Sequence, residues 1–281
     1  GPLSFTVVPK EKALQNLLTI VRESKNKLAG RETYFSRTLI GLAGIDTQDE
    51  IAEANQFFNE TLKAEIQGTI RVVNDSEIAL ASGTNSSNAI VVISGTGSNC
   101  FGRNDMGETA KAGGLDYLLS DEGSAYFVGI EILHAAVKST DGRGKKTVLE
   151  ELIKNYFSLT DMLKIKEKVY QSGFTKASVA HLCLLLPQAI ETNDEIAIGI
   201  RASAIAELAL MAQAVARKLS LENQPFDLVA SGGMFNDQML PLPDFSTAIK
   251  AVLPQANIIR PEKPPVYGGL SLLMGNPEQH Y

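Results

Sequence analysis

Helical and strand-like hydrophobic patterns alternate along this chain, and they run in the same order in its two halves. In the first half, Leu14, Leu17, Leu18, Val21 and Leu28 recur at helical spacing, which predicts a helix over residues 10–29 with Gly30 as its C-cap. Residues 38–43 read as a buried strand. Thr47-Gln48-Asp49-Glu50 reads as a capping box opening a helix to about Lys63, and residues 69–73 as the next strand. A short helix over 76–81 and a polar linker over 83–88 follow. The second half opens on three strands, 89–94, 99–103 and 108–112, joined by a glycine turn and by Asn104-Asp105-Met106-Gly107, which makes a meander. A helix over 122–138 leads into a helix-rich stretch to about Leu219 that includes 179–190 and 195–219. Strand 227–230, helix 245–253, strand 257–259 and helix 267–274 complete the order.

With the helix-rich stretch taken as an insertion, the second half runs meander, helix, strand, helix, strand, helix. The first half repeats that order without the meander. The expectation is a duplicated α/β unit in two domains, residues 1–88 and 89–281. The first is incomplete at its amino-terminal strands, and the second carries a helical insertion at about 140–220.

The composition, 44% hydrophobic and 21% charged over 281 residues, suits a globular chain of two modest domains. A net charge of −6 opposes nucleic-acid binding, and the only dense basic stretch, Arg143 to Lys146, is too short for a footprint. Cys100 and Cys183 form no Cys-x-x-Cys pair, so neither a zinc site nor a disulfide framework is indicated, and a reducing cytoplasm fits. His134, His181 and His280 have no ligand spacing, which leaves no metal site to predict. No apolar run reaches the roughly 18 residues of a membrane span, and no signal pattern opens the chain. Gly1-Pro2 reads equally as a protease scar or a native start.

Five short segments carry residue types suited to chemistry. Gly95-Thr96-Gly97-Ser98 follows an apolar strand; its glycines would let backbone N–H groups wrap an anion, with hydroxyl donors from Thr96 and Ser98, or it is an ordinary hairpin turn. Asn74-Asp75 places a carboxylate at a strand end, where it serves either as a general base for a hydroxyl or as the N-cap of the next helix. Gly113-Gly114 and Ser120-Asp121-Glu122-Gly123-Ser124 flank a helix start; capping accounts for Ser120 and Asp121, but not for the glycines. Ser231-Gly232-Gly233 lies between a strand and a helix, as a nucleotide-approaching turn or a tight connection would.

Taken together, Val73-Asn74-Asp75, the run from Val92 to Cys100, Gly113-Gly114, the run from Asp121 to Tyr126, Asp141-Gly142-Arg143-Gly144 and Ser231-Gly232-Gly233 resemble, in order, the motifs of N-acetylglucosamine kinases. Those enzymes belong to the BadF/BadG/BcrA/BcrD ATPase group. The resemblance implies an actin-like fold of two ribonuclease H-like domains, with ATP and sugar in the cleft between them. It also implies Mg2+-dependent phosphorylation of a small-molecule amino sugar at its 6-hydroxyl, and a homodimer. By the same resemblance Asp75 is the base, Gly95, Thr96, Gly97 and Ser98 form the second phosphate loop, and Gly232 and Gly233 form the adenosine-side turn. Asn74, Asn99, Gly114 and Asp121 are then the sugar-side residues.

The family's first phosphate loop, an Asp-Gly-Gly-Gly-Thr hairpin, has no counterpart before Phe5, so the chain as it stands is expected to be slow or inactive while still binding sugar. Loss of the opening strands is also expected to bare a sheet edge near residues 38–43. The aromatic residue that often follows the Gly-Gly pair is Leu115 here, which leaves N-acetylglucosamine, glucosamine and N-acetylmuramic acid all open as substrates. Two other readings stand beside the kinase. One is an ATPase activator of a 2-hydroxyacyl-CoA dehydratase or benzoyl-CoA reductase, for which the chain lacks a suitable cysteine pair; the other is a non-catalytic sugar or nucleotide sensor.

Overall fold

In the computed structural model, residues 9–27, 35–45 and 47–274 are described. The chain divides into two compact units, residues 1–85 with 261–281, and residues 86–260.

The first unit is built from α1 (Lys10–Lys27), β1 (Arg37–Leu42), α2 (Gln48–Thr61), β2 (Thr69–Asn74) and α3 (Asp75–Ala81). The last two residues of the expected first helix and its Gly30 cap lie outside the described residues. The capping box at the start of α2 is formed: the Thr47 hydroxyl accepts from the Glu50 N–H at 3.2 Å, and the Glu50 carboxylate accepts from the Thr47 N–H at 2.8 Å. Strands β1 and β2 pair in parallel, from Arg37 opposite Thr69 to Leu42 opposite Asn74. Leu17, Val21, Ile40, Leu42, Phe58, Leu62 and Val72 close a core between the helices and this sheet.

Two amide side chains on α2 cover the other edge of β2. Asn55 donates to the Val72 carbonyl at 3.1 Å and accepts from the Val72 N–H at 2.8 Å, while Asn59 donates to the Ile70 carbonyl at 3.1 Å. An amide presents a donor and an acceptor side by side, so Asn55 stands in for a neighbouring strand and keeps that edge from remaining open.

The second unit opens on the meander β3 (Ala89–Ser94), β4 (Ser98–Arg103) and β5 (Thr109–Gly113). Helix α4 (Ala125–Asp141) follows, capped by the Ser124 hydroxyl and closed by the left-handed Gly142 at φ 81°. It therefore starts three residues later than Glu122, because Ser124 supplies the cap expected of Ser120 or Asp121. The helical insertion comprises α5 (Leu149–Phe157), α6 (Ile165–Val169), α7 (Lys176–His181), α8 (Leu186–Glu191) and the 24-residue α9 (Glu195–Lys218). The single helix expected over 179–190 is instead α7, a 3-10 turn at Leu182–Leu185, and α8. Pro187, in the first turn of α8, has no N–H to give to a continuing helix.

Strand β6 (Phe226–Ser231), α10 (Leu242–Val252) and β7 (Ala256–Ile259) complete a five-stranded sheet in the order β5-β4-β3-β6-β7. Strand β4 runs antiparallel to β3 and β5, whereas β3, β6 and β7 are parallel. Helix α9 packs across the meander so closely that a Cβ on Gly102 would lie 2.8 Å from Val215.

The last helix, α11 (Val266–Met274), belongs to the first unit, which departs from an expected domain of residues 89–281. The reason is backbone contact: a Cβ on Gly268 would lie 2.1 Å from the Ile78 carbonyl of α3, so only glycine lets α11 seat there. No helix among the described residues is long and apolar enough to cross a membrane.

Replacing Asn55 with alanine strands the N–H of a strand residue that is 1% exposed, Val72. We expect Asn55→Ala to lower unfolding free energy by about 1–3 kcal/mol, as an unsatisfied buried donor does, measured by urea titration.

Candidate active site

The parallel pairing of β3 with β6 sets Ile93 opposite Ser231, so the carboxyl ends of these strands lie side by side and each leads into a glycine turn. In open α/β sheets the crevice beyond such strand ends is where ligands bind.

After β3, the pairing of Ser94 with Ser98 leaves Gly95-Thr96-Gly97 as a tight loop, held by the Gly95 N–H donating to the Gly97 carbonyl at 2.9 Å. The start of α4 is tied to this loop, with Ala125 N–H donating to the Gly95 carbonyl at 2.9 Å and Tyr126 N–H to the Thr96 carbonyl at 3.3 Å. The Thr96 and Gly97 N–H groups have no hydrogen-bond partner among the described residues. The hydroxyl of Ser98 is not an outward donor: it is buried and donates to the Glu122 carbonyl at 2.7 Å, as Ser94 donates to the Gly123 carbonyl at 2.8 Å. Thr96 is the exposed hydroxyl of the loop.

After β6, Gly232 has φ 111°, and a Cβ there would lie 2.2 Å from the Ser94 carbonyl. The same carbonyl accepts from the Met234 N–H at 3.0 Å. Gly233 faces open space, with nothing within 4 Å of an added Cβ. Helix α10 begins only at Leu242, so the turn offers exposed backbone and not a helix N-terminus.

On the meander side, Asn99 pairs in register with Gly113. Gly113 and Gly114 both take positive φ, 71° and 77°, and a Cβ on Gly114 would lie 3.0 Å from the Asn99 amide carbon. The paired glycines thus give the chain its left-handed bend and keep space beside Asn99. Gly123 has a packing explanation: a Cβ would meet Leu208 at 2.6 Å and the Ala204 carbonyl of α9 at 2.7 Å.

Asp121 is turned toward the glycine loop. Its backbone has φ 84°, its side chain is 4% exposed, and a Cβ on Gly97 would lie 2.7 Å from one carboxylate oxygen. One oxygen accepts from the Ser98 N–H at 3.0 Å and the other from the Lys176 ammonium at 2.7 Å. Lys176 also pairs with Asp116 and lies 5.6 Å from the centre of the Tyr117 ring. Burial pulls the Lys176 ammonium pKa down, but its hydrogen bonds to Asp116 and Asp121 outweigh it and leave the pKa raised. Asp116 is held below the usual carboxylate range, chiefly by its hydrogen bond to Lys176. Neither Lys176 nor Asp116 is legible as a site residue in the sequence, since the lysine comes 55 positions after Asp121 within the helical insertion.

In the first unit, Asn74 is the N-cap of α3: its carbonyl oxygen accepts from the Ser76 N–H at 2.9 Å and its amide donates to the Ile45 carbonyl at 2.7 Å. That removes the cap reading of Asp75, which is the exposed first residue of α3. Asp141-Gly142-Arg143 terminates α4, with Arg143 donating to the Asp141 carboxylate at 2.7 and 2.9 Å. Both cysteines are buried free thiols, and burial pushes Cys183 up to about 11. No group of three or more His, Cys, Asp or Glu among the described residues converges as a metal site.

Residues 1–269 match the model of the BadF/BadG/BcrA/BcrD ATPase family. Over 270 residues the chain is 33% identical to the N-acetylmuramic acid/N-acetylglucosamine kinase of Clostridium acetobutylicum, covering 96% of this chain and 87% of that one. It is 27% identical over 263 residues to the N-acetyl-D-glucosamine kinase of Dictyostelium discoideum, covering 92% and 82%. A crystal structure from Chromobacterium violaceum, provisionally described as an N-acetylglucosamine kinase, superposes with a TM-score of 0.68 at 20% identity, covering 94% of this chain and 85% of that one. That likeness shows a shared fold and agrees with the α/β architecture expected from the order of elements.

The two turn glycines after β6 separate packing from exposure. We expect Gly232→Ala to destabilise the protein by about 1–3 kcal/mol or more through its strained φ and the clash with Ser94, whereas Gly233→Ala leaves the thermal midpoint unchanged; calorimetric melting of both variants checks this.

Proposed function

Because this chain belongs to the BadF/BadG/BcrA/BcrD ATPase family, we propose that it transfers a phosphoryl group from ATP to the 6-hydroxyl of an amino sugar, N-acetylglucosamine or a close relative. The observation that carries this reading is the contact of the two glycine turns, with Gly232 against the last carbonyl of β3. Such paired turns at adjacent strand ends suit a nucleotide, whose phosphates meet bare N–H groups on one turn while its nucleoside lies along exposed backbone on the other.

In this reading the Thr96 and Gly97 N–H groups and the Thr96 hydroxyl meet the phosphates. Gly232 and Gly233 border the adenosine, and Asn99 and Gly114 hold the sugar on the meander side. Asp121 is the family's further sugar-side position, and its carboxylate also backs the loop through the Ser98 N–H. Asp75, by the family resemblance, takes the proton from the attacking hydroxyl. Mg2+ needs no dedicated protein cage, because it is ordinarily carried by the nucleotide phosphates with one or two carboxylates. When bound it would supply charge neutralisation at those phosphates, and the rate comes mainly from positioning and electrostatic stabilisation. The buried free thiols suit the reducing cytoplasm in which we place the reaction.

A coupled assay of ADP release with a panel of N-acetylglucosamine, glucosamine and N-acetylmuramic acid tests the reading. Failure of every one of these sugars both to stimulate ADP release and to bind by calorimetry would overturn it. We further expect Asp75→Asn to lower kcat on the order of 10² to 10⁴-fold while sugar affinity by calorimetry stays near the parent value, since the amide keeps the shape but cannot accept the proton.

A further inference from the structure

The ammonium that pairs with Asp121 under the glycine loop has no place among the roles above. Asp121 lies directly beneath Gly97, and its side chain is 4% exposed. A buried carboxylate there would oppose any anion arriving on the other side of the loop, and would itself be poorly solvated. The neutralising group is Lys176, 2.7 Å away, reaching from the first residue of α7. A cation in the first turn of a helix opposes the helix dipole, so α7 gains nothing from a lysine at that position. Asp116, with φ 71° and its side chain 65% exposed, holds the ammonium from the solvent side, and the Tyr117 ring covers it.

We propose that Lys176 is a positioning residue for the nucleotide: it neutralises Asp121 and holds that carboxylate on the Ser98 N–H, so the glycine loop receives phosphates without an opposing charge behind it. This rests on the nucleotide side of the kinase reading and adds a residue of the helical insertion to it. Lys176 touches neither phosphate nor sugar; it acts through Asp121 and the loop. The helical insertion is thereby part of the phosphate site.

The test is calorimetric titration of the whole chain with ADP and with adenosine, each in the presence of Mg2+, since the two probes differ only in the phosphates. In Lys176→Met we expect ADP affinity to fall by at least about tenfold, the equivalent of roughly 1.4 kcal/mol, and adenosine affinity to stay within about twofold. Lys176→Arg should keep ADP binding near the parent value. The double variant Lys176→Met with Asp121→Asn should recover most of the loss, because the uncompensated charge is gone. That recovery would not follow if the lysine served only to fold the loop. Equal losses for ADP and adenosine, no recovery in the double variant, or a parent protein that binds both probes equally would each overturn the proposal. A parent that prefers ADP, yet neither binds nor phosphorylates any amino sugar, would sink the kinase reading and leave the role of Lys176 standing.

Discussion

Parallel pairing of β3 with β6 is the constraint on which the candidate site depends. These strands are separated in sequence by β4, β5, α4 and the whole helical insertion, yet their carboxyl ends finish at the same level, Ile93 beside Ser231. The turns at that end follow from the pairing of β3 with its two neighbours. Gly232 must be glycine because the turn it starts lies against the Ser94 carbonyl, and Gly95-Thr96-Gly97 must be short because β4 turns straight back onto β3. The meander on one side of β3 and the parallel strands on the other make it the point where the sheet changes direction, the place such sheets hold ligands.

The helical insertion is coupled to this sheet end at several points. Helix α9 packs over the meander and forces glycine at positions 102 and 123, where Val215, Leu208 and the Ala204 carbonyl leave no room for a side chain. Helix α7 delivers Lys176 to Asp121. The first fixes the loop ahead of α4 by packing, the second by charge. Because both elements lie in the insertion, its role extends from the core of the second unit to the electrostatics of the glycine loop.

The first unit shows the same reliance on side-chain amides to finish what the backbone leaves open. Asn55 and Asn59 pair with the outer edge of β2, and Asn74 both caps α3 and ties it to the Ile45 carbonyl. Asn74 thereby fixes the turn that presents Asp75, although its own polar atoms are directed to backbone groups. The proximity of α11 to α3 through Gly268 returns α11 to this unit.

Periodicity alone located most elements, because the alternation of apolar residues depends only on local geometry: β3, α9 and the capping box of α2 fall where their patterns place them. The glycine turns and Asp75 stood out as small or acidic residues at strand ends, but the roles proposed for them came from the family resemblance. The order of elements also implied the duplicated α/β plan. What the pattern could not carry was anything set by contacts between distant segments. It gave the cap of α4 to Ser120 or Asp121, when tertiary hydrogen bonds left Ser124 to cap and sent the Asp121 carboxylate to Ser98 and Lys176. It assigned α11 to the second domain, when a backbone contact at Gly268 decides otherwise. It ran one helix through residues 179–190, where Pro187 interrupts the hydrogen-bond ladder. Hydrophobic period is a property of a few neighbouring residues, whereas the partners of a buried carboxylate or a glycine are chosen by whatever the fold brings alongside, and that exists only in three dimensions.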